Sequence, residues 1–282
     1  MEILTVKNLC KHYDSFSLNN VSFSIKAGSI TGFIGRNGAG KTTTLKSLLN
    51  FVHADSGEIL FFGNAFEKNE LTIKRNIGFV SGGIDYYPHK KLRTITNVTK
   101  RFYPKWDESA YRHYLSQFHL DENKTPNELS AGMKVKYSLA LALSHHATLL
   151  LLDEPTSGLD PVSRDDLLHI FLTLVEGGNI SILFSTHITS DLEKCADSII
   201  YIKNGEILAQ ADIDTFLATY KVVTLGKEQL TPALKRHLIG CQKEKNGYSA
   251  LIKTSILPLN GLVTKEADLE SVMVHLEKEE TL

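Results

Sequence analysis

Apolar and polar positions along this chain change period several times. Residues 2–7 alternate as a half-buried strand does, and 21–34 read as strand, broken by a turn at Gly28 into 21–25 and 30–34. Tyr13 falls in the loop between them. Residues 41–51 read as a helix, 57–63 as a strand bounded by glycines, and 77–80 as a short buried strand. From about Ser81 to His146 the strand signal fades, and 108–118 and 134–145 space their apolar residues helically, which predicts a helical insertion. Strand character returns at 148–152, followed by a helix at 163–176, a strand at 181–185, a helix at 189–195 and strands near Ile199 and Ile207. Near-continuous apolar runs alternating with helices predict a mostly parallel sheet covered on both faces. Beyond about Lys221 the pattern loosens into β-like pieces at 222–225 and 248–252. An amphipathic helix over 268–277 follows, with Leu269, Val272, Met273 and Leu276 on one face that packs on the tail itself or on a sister subunit.

Composition narrows this picture. With 282 residues, 42% of them hydrophobic, the chain buries a substantial core and is expected to carry one large domain plus an appendage. A formal net charge of -1 points to neither nucleic acid nor an anionic membrane, so any polyanion must be bound locally. Three cysteines, Cys10, Cys195 and Cys241, show neither metal-type nor redox-type spacing and suit buried thiols in a reducing compartment. Met1 to Val6 lacks the form of a signal peptide, and no apolar run approaches the ~20 residues that span a bilayer. If the protein works at a membrane, another polypeptide is expected to supply the spanning helices.

The chemistry centres on Gly35-Arg36-Asn37-Gly38-Ala39-Gly40-Lys41-Thr42-Thr43, which fits the phosphate-loop pattern G-x-x-x-x-G-K-[ST] between a predicted strand and a predicted helix. Glycines let the backbone wrap a polyphosphate, and the helix start aims free N–H groups and its positive dipole end at the same oxygens. Lys41 is expected to reach the β/γ-phosphates and Thr42 to complete a Mg²⁺ shell. Leu149-Leu150-Leu151-Leu152-Asp153-Glu154 ends a buried strand on two carboxylates, where an open α/β sheet presents its ligand. Asp153 would hold the Mg²⁺ through a water, and Glu154 would act as general base toward the attacking water. Acids at strand ends also occur merely as solvated or capping residues.

Three further segments complete a pattern: Leu129-Ser130-Ala131-Gly132-Met133 before the Asp153 strand, and Ser157-Gly158-Leu159-Asp160 and Ser185-Thr186-His187 after it. This order resembles the ATP-binding cassette (ABC) family over roughly residues 1–215. The resemblance implies a phosphate-loop NTPase core with a mostly parallel sheet, an antiparallel β part at the N-terminus, an inserted helical subdomain at about 83–146, and a cassette domain over 1–220 followed by an accessory region over 221–282. It also implies that Ser130, Ala131, Gly132 and Met133 of one copy close on the ATP held by the phosphate loop of a second, so that a homodimer or heterodimer encloses two Mg²⁺-ATP. Ser130 equally suits the cap of the helix that follows it. By the same resemblance His187 contacts the γ-phosphate and orients Glu154, Tyr13 stacks on adenine, and Asp160 carries information between the two ATP sites. Taken alone, His187 and Tyr13 are also compatible with structural roles.

One position departs from the family's pattern: where Gln, or sometimes Glu or Asp, is usual after a strand like 77–80, this chain has Gly82. Either Asp85 takes over, or backbone and water substitute and hydrolysis leans more on the partner. The interval between Gly40 and Ser130 has no room for long coiled coils, and there is a single cassette. What remains is mainly a transporter subunit. Tyr86 and Tyr87 then border a groove for a coupling helix of a separate integral membrane permease, or are loop aromatics. Residues 102–118 are similar to a bacterial subset that serves export of drugs, antibiotics or peptides. The expected location is cytoplasmic, peripheral at the inner face of the membrane; the competing expectation is a soluble ATP-driven clamp or assembly factor without transport.

Overall fold

The structure, a computed structural model, describes residues 1–82, 86–245, 247–256 and 262–278. Asp85 therefore lies outside the described residues. By its contacts the chain divides into two compact units, Met1–His187 with Lys194–Gln210, and Ile188–Glu193 with Ala211–Leu282.

The first unit holds two sheets. One runs Phe16–Lys26, Glu2–Tyr13, Ser56–Phe61, Asn64–Ala65 in spatial order, and its pairs are antiparallel. The other has six strands in the order Glu206–Asp212, Ser198–Lys203, Ile30–Ile34, Ser181–Thr186, Leu149–Asp153, Ile77–Ser81, and the last five pair in parallel. Ile30–Ile34 and Leu149–Asp153 are buried at every position, the reason their sequences are apolar without alternation. A single core joins Leu4, Leu18 and Phe23 of the first sheet, Leu45 and Leu48 of the helix Lys41–Leu48, and Phe33, Leu151 and Leu183 of the second. Each such side chain contributes about 1.5–3 kcal/mol by leaving water, which fixes the helix, and the loop before it, against the sheet ends.

The helical part consists mainly of Leu92–Thr99, Glu108–Gln117 and Ala131–Ser144. Its interior is tied by a buried polar cluster in which the Thr96 hydroxyl lies 2.8 Å from the Tyr111 hydroxyl and 2.7 Å from that of Tyr137, which donates to Leu92 O at 3.0 Å. Burial pushes the Tyr111 phenol up to about 12 and that of Tyr137 up as well, so both remain protonated donors.

The second unit contains the antiparallel sheet Ile239–Glu244, Gly247–Lys253, Tyr220–Leu225, Val263–Glu266. The helix Leu269–Glu277, capped by Asp268, buries Leu269, Val272 and Met273. Its His275 Nδ1 is 2.7 Å from Gly240 O, which seats the helix on the tail's own sheet.

Several expectations are corrected. Tyr13 is the last residue of a long strand and pairs with Phe16, because the hairpin to Phe16–Lys26 carries pairing well beyond Val6. The turn at Gly28 is present, and the strand halves on either side of it belong to different sheets, so it carries the chain from one layer to the other. The phosphate-loop helix ends at Leu48, short of Phe51. Of the three thiols Cys195 is buried and Cys10 and Cys241 are half-buried.

Candidate functional site

Parallel pairing places Ile34 beside Thr186, and Asp153 beside both Ser81 and Ser185, so the ends of four neighbouring segments meet at one edge of the sheet. The loop leaving Ile34 turns through Gly38 at φ 83° and Gly40 at φ 115° before the helix begins at Lys41. The φ of Gly40 is what demands glycine; a Cβ there would also lie 2.7 Å from Leu18 Cδ2 and 2.9 Å from Phe16 Cζ, so these side-chain ends would have to shift. Gly35 and Ala39 are buried supports of the loop, and Ala39 N donates to Arg36 O at 3.1 Å.

Lys41 is buried and its ammonium donates to Gly35 O at 2.7 Å and lies 3.3 Å from Glu154 Oε1. The Thr42 hydroxyl donates to Asp153 Oδ1 at 3.1 Å, and the Ser185 hydroxyl donates to the same oxygen at 2.7 Å. His187 Nδ1 is 2.9 Å from Glu154 Oε2. Glu154 itself has φ 51°, a left-handed conformation that costs a non-glycine residue about 1–2 kcal/mol and holds only where neighbours impose it. Gly82 N donates to Asp153 O at 3.2 Å, so Gly82 lies against the same strand end.

These groups surround a cavity of about 580 Å³ lined by Arg36, Asn37, Gly38, Gly40, Lys41, Thr42 and Thr43, by Glu154, Ser157 and His187, and by Ser15 and Phe16. Ser15 and Phe16 join this lining from outside the phosphate-loop pattern and carry no sequence signal for it. Tyr13, 46% exposed, is not among the lining residues.

Ser130, Ala131, Gly132, Met133 and Asp160 stand apart from this cavity. Ser130 accepts from Met133 N at 3.2 Å and caps Ala131–Ser144; Asp160 accepts from Val162 N and Ser163 N, both at 3.0 Å, and caps Pro161–Glu176. Hydrogen bonds from the Ser163 side chain and the adjacent backbone hold the Asp160 carboxyl below its ordinary range. The two caps are neighbours: a Cβ on Gly132 would sit 3.7 Å from both Leu159 Cδ2 and Ser163 Cβ. One copy of the chain thus carries two separate helix starts, the one in the phosphate loop at Lys41 and an exposed one at Ser130.

A hard, oxygen-only pair such as the Thr42 hydroxyl and the Asp153 carboxylate suits Mg²⁺, which takes one or two protein oxygens and leaves its other positions to phosphate and water. Among the described residues no group of three or more His, Cys, Asp or Glu converges as a complete metal cage.

A strand–glycine loop–helix element, with two carboxylates at the end of the next-but-one strand, defines a phosphate-loop nucleotide-binding protein. The family model described as ABC transporter matches residues 18–157. The chain is 32% identical over 219 residues to the ABC transporter ATP-binding protein YtrB of Bacillus subtilis (strain 168), covering 77% of this chain and 75% of that protein. It is 34% identical over 215 residues to the bacitracin transport ATP-binding protein BcrA of Bacillus licheniformis, covering 75% and 70%. A solved structure described as the ATP-binding subunit of an ABC transporter superposes with a TM-score of 0.67 at 28% identity, covering 76% of this chain and 91% of that one. The chain belongs to the ATP-binding subunits of ABC transporters, a family that in general hydrolyses ATP with Mg²⁺. Among the described residues no helix is long and apolar enough to cross a membrane.

Proposed function

We propose that this chain hydrolyses ATP as one half of a dimer that closes around two Mg²⁺-ATP and passes that closure to a separate membrane permease, exporting a substrate. The observation that carries the reading is the convergence of Lys41, Thr42, Glu154 and His187 on one cavity, with Asp153 bonded to Thr42 at its edge. Gly35, Asn37, Gly38, Ala39, Gly40, Lys41, Thr42 and Thr43 bind the phosphates, and Thr42 with Asp153 holds the Mg²⁺, which neutralises phosphate charge when bound. Glu154 takes the proton of the attacking water, held in place by His187 at 2.9 Å. Tyr13, paired in its hairpin with the cavity-lining Phe16, stacks on the adenine, and Phe16 offers a second apolar face.

The exposed Ser130 helix start, with Ala131, Gly132 and Met133, meets the γ-phosphate held by the partner copy, itself an identical or a related subunit. Asp160, adjacent through Leu159 and Ser163, links the two sites. An apolar groove of about 580 Å³, bordered by Tyr86, Tyr87, Val98, Phe102 and Tyr103, receives a short helix of the permease. That contact keeps the chain at the inner face of the membrane. Export is the direction favoured by likeness to the Nod factor export ATP-binding protein I of Burkholderia orbicola (strain AU 1054), 35% identical over 210 residues.

Two measurements test this. Pull-down of the tagged chain from membranes is expected to recover a multi-helix membrane protein; recovery of a fully soluble complex of another kind removes the transport reading. Glu154→Gln is expected to form a dimer with Mg²⁺-ATP by light scattering, and a monomer at saturating nucleotide removes the sandwich.

A further inference from the structure

Resting on the hydrolytic reading under Proposed function, we propose that Ser185 is a positioning residue for that reaction, setting the geometry of Asp153 and Glu154 together through one hydroxyl. Ser185 is fully buried and lies beside Asp153 in the parallel register. Its Oγ donates to Asp153 Oδ1 at 2.7 Å and accepts the Glu154 N–H at 3.0 Å. The same N–H also points at Ser185 O, 3.1 Å away.

The peptide between the two acids is therefore held from both sides. Its carbonyl accepts from Gly82 N at 3.2 Å and its N–H is shared by the two oxygens of Ser185. That peptide leads into the unfavourable φ of 51° at Glu154, and a strained residue keeps its conformation only where its surroundings over-determine it. Gly82 contributes backbone alone. The side-chain part of the restraint comes from Ser185, whose hydroxyl is both donor and acceptor.

Asp153 Oδ1 receives a second hydroxyl, that of Thr42, at 3.1 Å. Thr42 is exposed to the cavity, whereas Ser185 is sealed in the sheet, so the Ser185 bond is independent of what fills the cavity. Groups hydrogen-bonded behind metal-binding and reacting residues typically change affinity or rate by about 10–100-fold when removed.

The test compares wild type, Ser185→Ala and Ser185→Cys, each purified with and without its membrane partner. For Ser185→Ala, kcat is expected to fall about 10–100-fold while KM for Mg²⁺-ATP rises by about tenfold at most, because restraint is lost at the reacting groups and at the metal-holding carboxylate and not at the phosphate loop. In a Glu154→Gln background, the gain in affinity for a fluorescent ATP analogue on adding Mg²⁺ is expected to shrink by about tenfold. Ser185→Cys, similar in volume with a weak S–H donor, is expected to lie between. A merely structural role would lower the melting temperature and leave kcat per folded molecule and the Mg²⁺ gain as in wild type, which would overturn the proposal. If Ser185→Ala does not fold, Ser185→Cys decides by the same two readouts. Absence of hydrolysis by wild type in both preparations overturns the hydrolytic reading and this proposal with it; wild-type hydrolysis with unaltered variants overturns the role of Ser185 alone.

Discussion

The Lys41 ammonium and the Glu154 carboxylate form an ion pair of 3.3 Å inside the phosphate-loop cavity, with Lys41 5% exposed. A polyanion that takes Lys41 must displace this carboxylate. Removing its charge by Glu154→Gln is expected to tighten ATP binding by about fivefold, the worth of a partly exposed pair near 1 kcal/mol. The same change is expected to cut turnover by at least about 100-fold through loss of the general base. Nucleotide titration and phosphate release check both, and weaker binding with near-normal turnover would remove Glu154 from both roles.

Gly82 has φ 58° and open space for a Cβ, so a side chain fits there at a backbone cost of about 1–2 kcal/mol. Gly82→Gln and Gly82→Ala share that cost, but only Gln carries a polar end toward Asp153 and Glu154. Turnover is expected to differ between the two variants while ATP affinity stays at the wild-type value in both. Turnover equal to wild type in both would take this position out of the mechanism.

Thr96 binds two buried phenols at once, at 2.8 and 2.7 Å. Thr96→Val leaves the Tyr111 and Tyr137 hydroxyls without that partner and is expected to destabilise the fold by about 1–3 kcal/mol. A thermal or urea midpoint checks this; an unshifted midpoint would mean that the two phenols satisfy each other.

His145 is buried, stacked on Tyr103 with ring centroids 3.8 Å apart, and burial pushes its pKa down to about 4. The unfolded chain then takes up the proton first as pH falls. This contribution to stability is complete above about pH 6.5, declines between about 6.5 and 4, and is flat below, a total of about 3 kcal/mol. His145→Phe keeps an aromatic face for Tyr103 and is expected to lose that part of the pH dependence. Urea midpoints at pH 5 and 7.5 decide it, and an unchanged slope would assign the acid sensitivity to other groups.

The phosphate-loop pattern, the strand leading into Asp153 and Glu154, and the family were legible in the amino-acid order alone, because these rest on residue types in local order. Chain direction and apolar runs were enough to place Lys41 after a buried strand and to predict a parallel sheet and a helical insertion. Periodicity could not tell that the two halves of 21–34 enter different sheets, since a strand's local pattern is the same whichever sheet it joins. Tyr13 was misplaced for a related reason: hairpin pairing with Phe16 extends a strand that propensity alone had ended. That Phe16 lines the cavity, that Lys41 reaches Glu154, and that one buried hydroxyl of Ser185 serves both acids follows only from how distant segments pack together. Lys41 and Glu154 are far apart along the chain and meet because parallel strand register sets their positions, a constraint spread over the whole sheet and absent from any single stretch of sequence.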